Sequence, residues 1–367
     1  MKICYLADAY SIHTQRWVKY FADKGHEVFL ISYRQFGNNK IKNVKLYVLK
    51  EIQSKIWGIS FIINLLFTSI QVRKIIKKIN PDIIHAHFVT DNGLFGALSG
   101  FHPLVVTAWG SDILLRPQKT KNRYIARYVL KKADLVTCDS DKVKQAMIAL
   151  NNKAENSYVI QWGVNLDKFN PSIDATAIKT RLNIDNAPAV ISTRNFGVIY
   201  NIDTIIKAIP FVVKEIPDVK IILKNAYGTM EPELRNLAKE LAVIESGIFV
   251  GMIDYDEMPT YLKASDVFIS VPSSDSTSIS LLEAMACELP VIVSDLPANR
   301  EWVKDEWNGY IVPIRDEKAL ADAIVKLLKD EKKRKLFGRR NYELVKEKGD
   351  YEKNMEKMEE LYGSLLG

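Results

Sequence analysis

Short, almost continuously apolar runs alternate with amphipathic segments along the whole chain, and few folds accommodate that pattern. ICYLAD (3–8) comes first, followed by the amphipathic WVKYFADKG (17–25) closed by Gly25, then HEVFLISY (26–33) and VKLYVL (44–49). PDIIHAHF (81–88), PLVVTAWG (103–110), ADLVTCDS (133–140) and YVIQWGV (158–164) complete a first series. A strand with one wet face alternates apolar and polar residues. These runs do not, so they predict strands covered on both faces, as in a parallel sheet with helices on either side. The series then restarts with PAVISTR (188–194), VKIILKN (219–225), GIFVGMI (247–253), DVFISVP (266–272) and PVIVSD (290–295), with helical segments at 202–216, 231–243 and 278–287. The chain has 367 residues, which suits two domains of roughly 100–200 residues each. We therefore expect an α/β protein of two doubly wound, Rossmann-like domains. One covers residues 1–168 and the other 169–345, with a C-terminal helix, 346–367, free to pack back on the first. The boundary is expected near GVNLDKFNPS (163–172), where Gly, Asn and Pro interrupt the pattern.

Composition excludes several classes. Hydrophobic residues make up 47 % and charged residues 26 %, which rules out a disordered or collagen-like chain. Cys4, Cys138 and Cys287 are far apart in apolar contexts, and no CxxC or Cys/His metal spacing occurs. They are expected to be reduced core thiols of a cytosolic protein. MKICYLAD runs directly into a strand without an apolar signal region, so a cytoplasmic location is expected. The loop after the first strand, DAYSIHTQR (8–16), contains no glycine, and GxxxxGK[ST] is absent. The usual phosphate cradles of dinucleotide and P-loop enzymes are thus missing. Residues 1–170 hold 25 Lys+Arg and 12 Asp+Glu, a net +13, whereas residues 171–367 carry −6. A basic half should meet something anionic: nucleic acid, a membrane surface or a phosphorylated substrate. Nucleic acid is disfavoured, because no aromatic-rich basic strand or helix-turn-helix motif is visible.

Ligands of open α/β sheets bind beyond the carboxyl ends of the strands, so residues just after each strand carry most weight. PSSDSTSISLLEAMACELPVIVSD (272–295) is the most informative stretch. A strand ends at Pro272, a serine-rich loop follows, and a helix begins near Ser278. The backbone N–H groups of Ser278, Ile279 and Ser280 would emerge from a helix N-terminus, which suits a phosphate. Glu283, within the helix, is placed to accept two hydrogen bonds from a ribose diol, and Asp275 to do the same for hexose hydroxyls.

This stretch resembles the signature of the family-4 glycosyltransferases, retaining enzymes of the GT-B fold: an acid, seven residues, a Glu, an EAMA-type helix and a PV strand. LLEAMACELPVIVSD matches closely, with Asp275 where Glu is usual and Glu288 where Gly is usual. PDIIHAHF, ADLVTCDS, WGVNLDKF (162–169), DEMPTYLKASDVFISVPS (256–273) and NREWVKDEWNGYIVP (299–313) fall in family order, so the resemblance spans nearly the whole chain. It implies an Arg and a Lys on the donor diphosphate. Arg194 fills the first role. Tyr200 stands at the Lys position, so Lys224 is taken as the substitute, with Arg16 as runner-up. Base recognition is implied near Met252 and Ile253, through the backbone. Where the family carries a His-Gly-Asp trio this chain reads AWGSD (108–112), so Trp109 is expected to be a wall for sugar or acceptor, beside Gly110. Ser111 and Asp112 either cap the next helix or touch ligand. His13, in the first loop, would contact acceptor or donor phosphate. His85 and His87 are expected on opposite faces of one strand, with His87 on the site side.

The resemblance implies transfer of a hexose-type sugar from a nucleotide-diphosphate sugar, with front-face attack and the departing phosphate taking the acceptor proton. No cofactor is expected. No metal is assigned either, the triplets DSD (139–141) and DYD (254–256) being read as surface loops. A lipid-linked or polysaccharide acceptor is favoured by KIWGISFIINLLFTSIQVRKIIKKI (55–79). Its apolar part, 56–70, is shorter than the ~20 residues of a membrane span, and Arg73, Lys74, Lys77 and Lys78 follow it. That combination suits a helix lying on an anionic bilayer, or equally a buried helix with a solvated end. Two other functions stay open: a nucleotide-sugar 2-epimerase of the same architecture, and a non-catalytic sugar- or membrane-binding subunit.

Overall fold

The computed structural model describes residues 1–37, 41–50, 59–151, 154, 156–225 and 228–367. The chain divides into two compact units, Met1–Gln161 with Lys353–Gly367, and Trp162–Glu352. The expected boundary at 168/169 thus moves to 161/162. Trp162–Phe169 goes with the second unit for a visible reason. The Val164 N–H donates to Gly349 O (2.8 Å), Tyr351 N–H donates to Val164 O (3.1 Å), and Phe169 lies in that unit's core.

In chain order the first unit contains β1 (Lys2–Leu6), α1 (Ile12–Asp23), β2 (Glu27–Ser32), β3 (Val44–Val48), α2 (Ile59–Ile79), β4 (Ile83–His87) and α3 (Gly93–Ser99). It continues with β5 (Leu104–Thr107), α4 (Ser111–Leu114), α5 (Thr120–Lys132), β6 (Leu135–Cys138), α6 (Asp141–Leu150) and β7 (Tyr158–Val159). All its strands pair in parallel in the order β3-β2-β1-β4-β5-β6-β7. Helix α1 starts earlier than the sequence pattern suggested. Thr14, Trp17, Val18 and Phe21 are buried at helical spacing, so the buried stripe already begins in the segment expected to be loop. His13 and Arg16 therefore sit on a helix.

The second unit contains α7 (Thr176–Leu182), β8 (Ala189–Ser192), α8 (Ile202–Glu215), β9 (Lys220–Lys224), α9 (Glu231–Glu240), β10 (Gly247–Gly251), α10 (Met258–Lys263) and β11 (Val267–Ser270). Then come α11 (Ile279–Ala286), β12 (Val291–Ser294), α12 (Pro297–Arg300), β13 (Gly309–Val312), α13 (Glu317–Lys329) and α14 (Glu331–Lys348). The last helix, α15 (Tyr351–Leu366), lies in the first unit from Lys353 onward. The second sheet is parallel, in the order β10-β9-β8-β11-β12-β13. Successive strand residues enter opposite cores: Ile191, Ile222 and Phe268 pack on one face, Val190, Ile221 and Val267 on the other. That is why these strands read as unbroken apolar runs. Strand β13 is not among the strands expected from the apolar runs. A Cβ at Gly309 would stand 2.5 Å from Val291 O, so only glycine lets it pair this closely.

Strand order reverses between β1 and β4 in one sheet and between β8 and β11 in the other. These are topological switch points, where open α/β sheets leave a crevice for ligand at their carboxyl edge.

Candidate active site

In the second unit the switch point is occupied by predicted residues. Arg194 follows β8, and the loop carrying Asp275 follows β11. Arg194 donates to Asp275 Oδ2 (2.7 Å), to Ser280 Oγ (3.1 Å) and to Ser278 Oγ. The Tyr200 ring lies 4.6 Å beneath the guanidinium carbon. Arg194 and Asp275 are largely buried, at 11 % and 18 % side-chain exposure. Burial pushes the Asp275 carboxyl above its ordinary range, and Arg194 with the Ser276 N–H pulls it part of the way back. Ser278 is the N-cap of α11, with Ile279 and Ser280 in the first turn and Glu283 buried farther along. Lys224, at the end of the neighbouring β9, is half-buried. Burial lowers the pKa of its amine, Glu283 supports the charge and Arg194 opposes it. Arg194, Lys224, Asp275, Ser278, Ser280 and Glu283 therefore form one cluster of two cations, two acids and two hydroxyls. Ile253, after β10, turns its side chain into the core beside Met258, while Met252 is 73 % exposed.

In the first unit His13, His87 and Trp109 come together, with ring centroids 5.9 Å apart for His13 and Trp109 and 5.4 Å for His87 and Trp109. Burial lowers both imidazoles to about 3, assisted at His13 by the Arg16 charge. Both rings are therefore neutral near pH 7. His85 and His87 do not face opposite ways. With one residue between them they share a strand face, and their rings stand 4.7 Å apart. His85 is tied to Tyr362 of α15 and to Thr107 Oγ1 (2.6 Å). Gly110 has φ +99°, which favours glycine. Asp112 receives the Val89 N–H (2.7 Å) and the Trp109 N–H (3.0 Å), and burial raises its carboxyl to about 6. It holds the turns after β4 and β5 together.

Two family models match the chain, one described as "Glycosyl transferase 4-like" over residues 2–140 and one as "Glycosyl transferases group 1" over residues 174–344. The chain belongs to the group 1 glycosyltransferases. It is 24 % identical over 360 residues to N-acetyl-alpha-D-glucosaminyl L-malate synthase of Bacillus anthracis, covering 95 % of this chain and 92 % of that one. It is 27 % identical over 331 residues to alpha-monoglucosyldiacylglycerol synthase of Streptococcus pneumoniae, covering 83 % and 71 %. Anabaena HepE in complex with UDP-glucose superposes with a TM-score of 0.84 at 20 % identity over the full length of both chains. That likeness supports the GT-B fold.

Several residues that shape the Arg194 cluster were not read from the sequence. Asn201 donates to Val271 O (2.9 Å) and Ser273 Oγ (2.8 Å), fastening the acidic loop next to Tyr200. Trp302 Nε1 donates to Thr277 Oγ1 (3.3 Å), and Ser294 Oγ donates to Pro272 O (2.7 Å). All lie 20 or more residues from the loop they hold, so local spacing carried no signal. Tyr200 appeared from sequence as a missing cation, but it forms a floor under the cation that is present. Tyr200→Leu is expected to lower transfer about fivefold, the loss of about 1 kcal/mol of cation–π contact. Tyr200→Phe should stay close to wild type, and steady-state kinetics of the pair checks this.

Among the described residues no group of three or more His, Cys, Asp or Glu is gathered as a metal ligand set. Asp256 of the DYD triplet is paired with Lys168. No helix among the described residues is long and apolar enough to cross a membrane.

Proposed function

We propose that this glycosyltransferase moves a hexose-type sugar, with retention, from a nucleotide-diphosphate sugar to a hydroxyl of a lipid-linked or polysaccharide acceptor. The Arg194–Asp275–Ser278–Ser280 cluster at the β8/β11 switch point carries this reading. Departure of a nucleoside diphosphate builds negative charge on the β-phosphate. Fixed positive charge from Arg194 and Lys224, with the amides at the start of α11, meets it without reorganising. The reading gives this task to protein groups rather than to a divalent ion. Arg194 is held by Asp275. A diphosphate competes for the guanidinium and releases the carboxylate toward sugar hydroxyls, while Glu283 holds the ribose. HepE in complex with UDP-glucose and the lipid product named for the pneumococcal relative agree with such a donor and such an acceptor. Glu283→Ala is expected to weaken nucleotide-sugar binding 10- to 100-fold, as losing hydrogen bonds to a charged group removes about 1.5–3 kcal/mol. Titration calorimetry across a panel of UDP- and GDP-sugars measures it. Unchanged affinity for every donor that binds wild type refutes the ribose role.

The same proposal places the enzyme on an anionic membrane surface. Residues 56–58 of the apolar stretch lie outside the described residues. On α2, Ile63 (38 % exposed), Leu66 (59 %) and Ile70 (52 %) form an uncovered stripe that runs on to exposed Lys74 and Lys77. The other two cations are engaged, Arg73 on Leu98 O (2.9 Å) and Lys78 over the Tyr47 ring (5.9 Å). Lys74→Gln with Lys77→Gln should weaken binding to phosphatidylglycerol vesicles about 20- to 30-fold, at about 1 kcal/mol per cation. Sedimentation with vesicles tests this, and binding indifferent to both changes and to salt removes the membrane from the proposal.

A further inference from the structure

The two faces of the first sheet differ in chemistry. On one face Leu6, Ile84, Ala86, Val106 and Val136 enter an apolar core. The residues between them turn to the other face and read Tyr5, His85, His87, Thr107 and Thr137. All five are at most 1 % exposed. Trp17 and Phe21 of α1 and Tyr362 of α15 pack over them. Buried polar groups need partners, and a chain of hydrogen bonds crosses this layer. Tyr362 Oη meets Tyr5 Oη (3.2 Å) and His85 Nδ1. His85 Nε2 meets Thr107 Oγ1 (2.6 Å), which meets Thr137 Oγ1 (2.6 Å).

Tyr362 is the member of this chain that the sheet does not supply. Burial raises its hydroxyl far above the ordinary phenol range, with hydrogen bonding to Tyr5 and Trp17 opposing the rise, so the oxygen keeps its proton. Burial also keeps His85 neutral, and the neighbouring His87 adds to the effect. Four of the rings around His87 are His85 (4.7 Å between centroids), Trp17 (5.2 Å), Trp109 (5.4 Å) and Tyr5 (5.7 Å). His85 and Tyr5 are fastened by the Tyr362 hydroxyl, and Trp17 packs on His85 at 5.5 Å. Trp109 stands against His13 at 5.9 Å, beyond the carboxyl ends of β5 and β1. Removing one oxygen atom at Tyr362 therefore leaves two buried polar groups each a hydrogen bond short. Both belong to rings that set the place of His87.

We propose that Tyr362 is a positioning residue for sugar transfer: its hydroxyl fixes the His85 and Tyr5 rings, which hold His87 against Trp109 and so set the Trp109–His13 wall at the carboxyl edge of the first sheet. This rests on the transfer reading above, with Trp109 as the wall for sugar or acceptor expected from the sequence. Arg194 and Glu283 belong to the second unit, so the effect falls on the rate of transfer and not on donor affinity. Misplacing a group by about 1 Å can cost about 10²-fold in rate.

The test uses the full chain with Tyr362→Phe, Tyr5→Phe and, for comparison, Met358→Ala, which truncates a fully buried side chain one turn earlier on α15 and removes no hydroxyl. Release of nucleoside diphosphate from UDP- and GDP-sugars, with water as acceptor, gives kcat and KM. Calorimetry gives donor affinity. Nitrogen-15 NMR of the five imidazoles follows His87 and His13 without recourse to activity. Tyr362→Phe should lower kcat about tenfold at unchanged donor affinity. It should shift the His87 and His13 signals as well as that of His85, and Tyr5→Phe should act in the same sense. Met358→Ala should lower the melting temperature at least as far while leaving kcat and those signals in place. His87 and His13 signals untouched in both tyrosine variants overturn the coupling. Shifted signals with unchanged kcat overturn the role in transfer. A kcat that follows melting temperature alike in all three variants reduces Tyr362 to a structural anchor. A wild type that releases no nucleoside diphosphate tells against the transfer reading and takes the positioning role with it, while the imidazole signals decide the coupling on their own.

Discussion

Arg194→Met should lower kcat/KM for sugar transfer by about 10²- to 10³-fold, the usual cost of removing one fixed group that stabilises developing transition-state charge. The same change strips Asp275 of its counter-ion at a buried position, and breaking a buried pair costs about 3–5 kcal/mol. The two losses can be told apart. Adding Asp275→Asn removes the stranded carboxyl and should restore much of the melting temperature without restoring transfer. Arg194→Lys keeps a charge but loses the fork that reaches Asp275, Ser278 and Ser280 together, and should fall between. The pH dependence has a definite sign. Asp275 in the folded chain already holds its proton more tightly than an ordinary aspartate. Without Arg194 that difference grows. Its contribution to stability is then greatest below the unfolded value, about 3.9, and is lost as pH rises through the folded value. The Arg194→Met deficit in melting temperature should therefore widen from acid toward neutral pH. A deficit independent of pH, with transfer close to wild type, removes Arg194 from the centre of the site.

Gly338→Ala should destabilise the second unit by about 3 kcal/mol, at the upper end of overpacking effects. A Cβ at Gly338 would stand 2.0 Å from the carbonyl oxygen of Glu288 and 2.9 Å from its carbon, both rigid backbone atoms. Glu288 follows the end of α11 with φ +59°, so its turn is already in a region that disfavours a side chain. Asn341, one turn farther along α14, donates to Leu289 O (2.7 Å) and locks the contact. The helix cannot retreat without breaking that bond. At about 2–4 °C per kcal/mol, calorimetry should show a fall of about 6–12 °C. Because the strained turn ends the helix that bears Glu283, donor affinity should fall with it. An unchanged melting temperature means that α14 and the turn can separate at no cost.

The members of the Arg194 cluster were legible in the sequence as candidates because they lie just after strands, and strand ends are where a parallel sheet presents its ligands. Arg194, Lys224 and the Ser278–Glu283 segment were each placed by the apolar run that precedes them. Their mutual contacts were not legible. Arg194 and Asp275 are 81 positions apart, and no periodicity reports which loop meets which. Glu288 shows the same limit from the other side. It reads as a departure from a glycine pattern, and only the positive φ explains why glycine is usual there.

The sequence by itself determined the two parallel sheets, their doubly wound character and the acidic, serine-rich loop that opens α11. Strand and helix periodicities are local properties, written within a few residues of each other. The tertiary structure decided that His13 rides on a helix rather than in a loop. It decided that Tyr200 lies beneath Arg194, that the unit boundary falls at 161/162, and that α15 ends in the first unit with Tyr362 on His85. Each of these depends on which distant surfaces exclude water together. That is settled by burial across the folded chain and leaves no mark in the spacing of neighbouring residues.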